Sequence, residues 1–147
     1  MDPFMVEALA EARQGLAEGG VPIGAVLVRD GVIIGRGHNG RVQEGNPILH
    51  AEIACLRNAG RIGDYRNTVL YSTCMPCFLC GGAVVQFGIP RVVAGEARTG
   101  RGSWDWLKSH GVEVVDLDLD ECWQLMQGFV GRHPALWAED CGAFAPR

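Results

Sequence analysis

His50-Ala51-Glu52 and Cys74-Met75-Pro76-Cys77-Phe78-Leu79-Cys80 are the two stretches of this chain whose side chains could do chemistry. One imidazole and two thiolates form a soft donor set of the kind that holds zinc through three protein ligands and leaves a fourth position open to water. His50, Cys77 and Cys80 are therefore the candidate metal ligands. Glu52 stands two positions after His50, and residues two apart on a helix do not share a face. A carboxylate so displaced suits a general acid and base beside the open position better than a further ligand. Taken alone, an acid in a first helical turn also serves the helix dipole.

A Cys-x-x-Cys pair by itself fits a redox couple or a structural zinc knuckle equally well. The His-x-Glu element argues against the redox couple, which needs no such partner. Cys74 opens two more readings. An iron-sulfur run of Cys74, Cys77 and Cys80 calls for another cysteine near position 84 followed by proline, and Val84-Val85 stands there. A closed structural zinc on His50, Cys74, Cys77 and Cys80 is the stronger rival, and it would make the protein a zinc-stabilised binding module. Met75-Pro76 forces an extended approach that aims Cys74 away from the metal. Cys55, Cys122 and Cys141 read as buried small apolar residues.

These residues need elements to hold them. Val6 to Ala17 is rich in strong helix formers and stops at Gly19-Gly20. Ile23 to Val28 and Val32 to Ile34 flank Asp30-Gly31, a pair that favours a tight hairpin turn. Gly35 to Leu49 reads as a polar, glycine-rich site loop, because nothing in it could bury a core face. Ala51 to Ala59 predicts a helix ending at Gly60, so that His50 and Glu52 sit where helix amides are positive. Thr68 to Ser72 predicts a strand, and Phe78 to Phe87 a helix opened by the Pro76-Cys77 pair. Strands over Arg91 to Ala94 and Val112 to Val115 are separated by a helical stretch from Trp104 to His110. Leu119 to Phe129 and Pro134 to Asp140 close the chain with helices. Alternation of strand and helix predicts an α/β fold.

With 147 residues the chain is the size of one domain, so residues 1–147 are taken as a single unit. Hydrophobic content of 48% and charged content of 20% are globular values. No apolar run is long enough to cross a membrane, and the N-terminus lacks a secretory pattern, so a cytoplasmic location is expected. A net charge of −4 argues against nucleic acid as partner, because that affinity needs a basic surface. A small uncharged substrate fits better. Six cysteines without a secretory context are expected to be free thiols.

His-x-Glu followed by Pro-Cys-x-x-Cys is the signature of zinc-dependent nucleobase deaminases. The chain resembles the cytidine/deoxycytidylate deaminase superfamily, and more narrowly the fungal-type cytosine deaminases that act on the free base. The resemblance runs from about Gly15 to Gly142 and includes Gly20-Val21-Pro22-Ile23-Gly24, Gly35-Arg36-Gly37-His38-Asn39, Asn58-Ala59-Gly60-Arg61, Gly88-Ile89-Pro90-Arg91 and Val93-Ala94-Gly95-Glu96. It implies a three-layer α/β/α sandwich with a mixed five-stranded sheet, one catalytic Zn2+ per subunit and a homodimer with the site near its interface. By the same resemblance Asn39 meets the carbonyl side of the base, the Ala51 amide assists, Trp137 covers the ring and Asp140 binds the exocyclic amine.

Each of these has a plainer reading, since Asn39 also suits a turn and Trp137 a core plug. Where the fungal type has leucine and serine before Pro-Cys, this chain has Cys74 and Met75, which are expected to line the pocket. Where it places two phenylalanines, this chain has Gly100 and Ala138, and the cavity is expected to widen unless Trp104 or Trp106 swings in. The expected activity is hydrolysis of cytosine to uracil and ammonia. Guanine or another purine base, isocytosine, or a tRNA adenosine are the alternatives among amine substrates.

Overall fold

The computed structural model describes residues 1–142, and the last five positions of the 1–147 unit lie outside the described residues. The elements are α1 (Pro3–Ala17), β1 (Gly24–Arg29), β2 (Val32–His38), α2 (Arg41–Glu44), α3 (Ala51–Ala59), β3 (Thr68–Ser72) and α4 (Phe78–Phe87). They continue as β4 (Arg91–Ala94), α5 (Trp104–Ser109), β5 (Glu113–Asp116), α6 (Asp120–Arg132) and α7 (Pro134–Cys141).

The strands form one mixed sheet in the order β2-β1-β3-β4-β5. β1 runs antiparallel to both β2 and β3, whereas β3, β4 and β5 are parallel. The hairpin between β1 and β2 turns at Asp30 and Gly31, both with positive φ (52° and 74°), as a tight primed turn requires. Alternate strand residues feed two separate cores. Ala25, Leu27, Leu70 and Val92 pack with Cys55, Leu56, Val84 and Leu107 from α3, α4 and α5. Val26, Val28, Tyr71 and Val93 pack with Met5, Ala8, Leu9 and Cys122 from α1 and α6. The result is the three-layer α/β/α sandwich, with a period-2 pattern supplying both faces of the sheet.

The stretch expected as a loop from Gly35 to Leu49 departs most from the sequence expectation, since it completes β2 and carries the short helix α2. Residues 35 to 38, assigned above to the site loop, belong to β2. Gly35 and Gly37 are buried, and a Cβ on Gly37 would stand 2.6 Å from the Cys55 amide nitrogen of α3. Glycine here lets a helix backbone lie directly on a strand, a use of a polar-looking segment that side-chain hydrophobicity does not reveal. α1 also begins earlier than Val6, because Asp2 caps it by accepting the Phe4 amide at 2.8 Å and Pro3 opens its first turn. No helix among the described residues is long and apolar enough to cross a membrane.

Candidate active site

Two helix starts meet beyond the carboxyl ends of the parallel strands, where open α/β sheets bind ligands. His50 is the residue before the first turn of α3, and Cys77 holds the same place in α4, both with extended backbone. Cys80 lies one turn into α4 and is fully buried. The three side chains bring one donor atom each to within 4.8 Å of the others. Cys77 Sγ lies 3.5 Å from His50 Nδ1. A tetrahedral ion with Zn–N near 2.0 Å and Zn–S near 2.3 Å holds such a pair about 3.5 Å apart, so the donor set fits zinc. Cys74 stands outside this group, which is the one group of three or more potential ligands among the described residues.

The electrostatics of the cluster follow from burial and mutual contact. A hydrogen bond from Cys80 pulls the Cys77 thiol down to about 4 against the opposing effect of burial, and His50 pulls it further. The Cys80 thiol, donor in that bond and buried, is pushed up. Burial works against charge on His50, yet its contact with Cys77 and the carboxylate of Asp140 outweigh it and raise the imidazole to about 9. Cys77 is thus poised as a thiolate, the form that binds metal. Glu52, 4% exposed, is raised to about 7, chiefly by burial and then by the Cys77 charge. A carboxyl poised there changes protonation state near neutral pH, which acid–base work requires.

An inner cavity of about 40 Å³ is lined by Ile23, Asn39, His50, Ala51, Glu52, Cys74, Met75, Cys77, Trp137, Asp140 and Cys141. It opens onto an outer cavity of about 760 Å³ that shares His50, Cys74, Met75, Cys77, Trp137 and Asp140. Asp140 and Asn39 form one polar wall. Asn39 Nδ2 donates to Asp140 Oδ2 at 2.7 Å, and Asn39 Oδ1 accepts the Arg41 amide at 3.0 Å. Asp140 Oδ2 also lies 3.8 Å from His50 Nε2, on the side of the ring away from the thiols. Burial raises the Asp140 carboxyl, while His50 and Asn39 draw it back.

Two expectations fail. Trp104 lines neither cavity: it stands in the first turn of α5, where the Arg101 guanidinium covers its ring at 4.4 Å, and Thr99, Gly100 and Gly102 take the wall instead. Cys141 is exposed rather than buried, because it ends the outlying helix α7 and no described element covers it. Cys55 and Cys122 are buried. Sequence reasoning also missed Arg41 and Glu139, which line the outer cavity and pair at 3.8 Å. Their only signal was adjacency to Asn39 and Asp140.

The description "Cytidine and deoxycytidylate deaminase zinc-binding region" fits residues 1–96, a match that spans most of the chain and both ligand-bearing helices. The chain belongs to the cytidine and deoxycytidylate deaminase family. It is 41% identical over 138 residues to the cytosine deaminase of Candida albicans, covering 92% of each chain. A solved structure from a study of A-to-I editing by tRNA:A34 deaminases is 31% identical, with a TM-score of 0.74 over 83% of this chain and 97% of that one. The guanine deaminase of Nitrosomonas europaea shares the fold, with a TM-score of 0.75 at 23% identity over 87% of this chain and 83% of that one. Membership establishes a deaminase with the cytidine deaminase-like fold and leaves the amine to be argued from the site.

Proposed function

We propose that the protein is a zinc-dependent hydrolytic deaminase of a free nucleobase, converting cytosine to uracil and ammonia. The observation that carries the reading is the convergence of His50, Cys77 and Cys80 beside a buried Glu52 that is not part of the donor group. His50, Cys77 and Cys80 would hold one zinc ion per subunit. Zinc in such a site supplies a nucleophile at neutral pH by lowering the pKa of water from roughly 15.7 to about 7.

Glu52 takes the proton from the attacking water, passes it to the ring nitrogen beside the attacked carbon, and then protonates the departing ammonia. Its burial keeps the protonated form accessible near neutral pH. Asp140 accepts from the exocyclic amine and, facing His50 Nε2, also orients the imidazole. Asn39 and the Ala51 amide hold the carbonyl side of the base, and Trp137 covers the ring. The outlying Cys74 argues against the closed four-ligand site that a zinc-stabilised binding module would need. Residues 1–147 act as one deaminase domain, in a cytoplasmic homodimer that takes a small-molecule substrate.

Ammonia release tests the reading. Zinc-loaded protein is offered cytosine, cytidine and a tRNA anticodon stem carrying adenosine. Turnover of cytosine at a kcat/KM at least a hundredfold above the other two is expected. Preference for the anticodon stem would instead make the protein a tRNA deaminase, against its net charge of −4.

A further inference from the structure

Asn39 is 1% exposed, lines the inner cavity and has all of its polar groups engaged. Its amide donates to Ile23 O at 3.0 Å, and its carboxamide bridges the Arg41 amide and Asp140 as described above. The remaining group is the backbone carbonyl. Asn39 follows β2 and precedes α2, so that oxygen lies outside both hydrogen-bond ladders. The peptide it belongs to leads into Gly40, and glycine lets a peptide plane rotate at little cost. Unless the carbonyl is held, the Asn39 carboxamide tilts with it.

Gln43 holds it. Its Nε2 donates to Asn39 O at 3.1 Å and also faces Glu18 Oε1 at 3.2 Å and Gly15 O at 3.4 Å. Three acceptors around one nitrogen fix which end of the carboxamide is the donor. Gln43 Oε1 lies over Gly20, buried and with no hydrogen-bond partner among the described residues. Leaving that oxygen unpaired costs stability, and what the inward pose gains is a donor on Asn39 and on the end of α1. The anchor is stiff. Glu18 is itself met by Gln14 at 2.9 Å and by His38 at 2.8 Å, and α1 is packed on the sheet through Met5, Ala8 and Leu9.

Resting on the deaminase reading, we infer that Gln43 is a positioning residue: it fixes Asn39 through its backbone carbonyl and, through Asn39, the carbonyl side of the base. Gln43 borders neither cavity, so it acts on the substrate only through its neighbour. Gly20 is the second part of the device. A Cβ there would overlap the Gln43 carboxamide, standing 2.6 Å from its Cδ and closer to its oxygen and nitrogen. Gly20 does not adopt positive φ, so alanine suits its backbone and displaces only the Gln43 side chain. The contact can therefore be broken from either side.

A double-mutant cycle tests this. Gln43→Met removes the donor at similar length, and Asn39→Ala removes the carboxamide while keeping the backbone carbonyl. Zinc-loaded wild type, both single variants and the double variant are compared by kcat/KM for cytosine. Uracil, which keeps the ring carbonyl, is titrated in parallel through quenching of tryptophan fluorescence. Gln43→Met is expected to lower kcat/KM at least tenfold and to weaken uracil binding at least fivefold at unchanged zinc content, because small misplacements of a positioning group are costly. In the Asn39→Ala background the same change is expected to cost less than twofold in each. Gly20→Ala is expected to reproduce the pattern, and it carries the test if Gln43→Met misfolds by circular dichroism. A merely structural role predicts equal losses in both backgrounds. Losses whose ratio between the two backgrounds stays below threefold overturn the inference and leave the deaminase reading standing. Coupling in uracil binding by a wild type that releases no ammonia would sink the deaminase reading alone.

Discussion

The cradle formed by His50, Glu52, Cys77 and Cys80 and the wall formed by α7 face the same cavity, yet they are held by different physics. The cradle sits at the starts of α3 and α4, whose Cys55, Leu56 and Val84 are locked into a core layer. Moving a donor atom there means moving a helix off the sheet. α7 has no fully buried residue and is fastened by polar contacts, Asn39 to Asp140 and Arg41 to Glu139, with Leu136 and Trp137 packed against the core edge. The donor cradle is thus anchored by burial, and the wall proposed to meet the substrate ring is positioned by a few side chains.

The strongest blow to this contrast is removal of a cradle ligand. Cys80→Ala is expected to bring zinc from about one ion per chain to near zero by elemental analysis, to abolish deamination and to lower the melting temperature, since metal binding and folding are coupled. Full zinc in that variant would move the ligand elsewhere. Next comes Glu52→Gln, for which kcat should fall by about 10²–10⁴-fold at unchanged zinc content. Stopped assays with metal quantified in the same sample check this, and high turnover at full zinc sinks the assigned role.

On the α7 side, Asp140→Asn is expected to lower kcat/KM by about 10–100-fold while zinc stays bound. Loss of the metal in this variant would mean that the wall supports the cradle more than it positions the base. Arg41→Ala should cost less than about tenfold in kcat/KM, because exposed ion pairs contribute roughly 0.2–1 kcal/mol. A thousandfold loss would give Arg41 a direct place in the reaction.

The smallest expected effect lies at the far end of β2. His38 meets Glu11 of α1 at 3.0 Å and Glu18, the residue just after α1, at 2.8 Å, and Gln43 from α2 bonds to the same Glu18 oxygen. Burial lowers the imidazole, but hydrogen bonds to the two glutamates raise it above 6.5 on balance. A raised basic group stabilises the fold fully below its unfolded value and loses that contribution as pH rises through the folded one. Wild type should therefore exceed His38→Gln in stability at pH 6 by on the order of 1 kcal/mol or less, with the gap closing by pH 9. Urea denaturation at both pH values measures it, and a gap that widens with pH contradicts the sign.

Much of this molecule was legible in its residue order. α3, β3, α4 and β4 have the bounds expected from their patterns, because each is a short apolar or helix-forming run, and α3, α4 and β4 are punctuated by glycine or proline. The two thiol donors were legible through their spacing, since Cys77 and Cys80 are one turn apart, and His50 through the His-x-Glu element that accompanies them. The second half of β2, residues 35 to 38, was not, because Gly35 and Gly37 are buried for lack of a side chain rather than for its hydrophobicity. Trp104 was misplaced for a related reason. An aromatic near a site can fill it or cover its outer surface, and the Arg101 guanidinium decides which.

The sequence by itself determined the reactive groups, the elements that carry them and the family they belong to, because ligand spacing, turn residues and apolar periodicity are local properties. Only the tertiary structure decided which oxygen of Asp140 meets Asn39 and His50, that Trp104 stays out of the cavities, and that Arg41 and Glu139 line the outer one. Those outcomes depend on distances between segments up to a hundred residues apart, such as Asn39 and Asp140. Packing of the whole sheet sets such distances, and no local pattern encodes them.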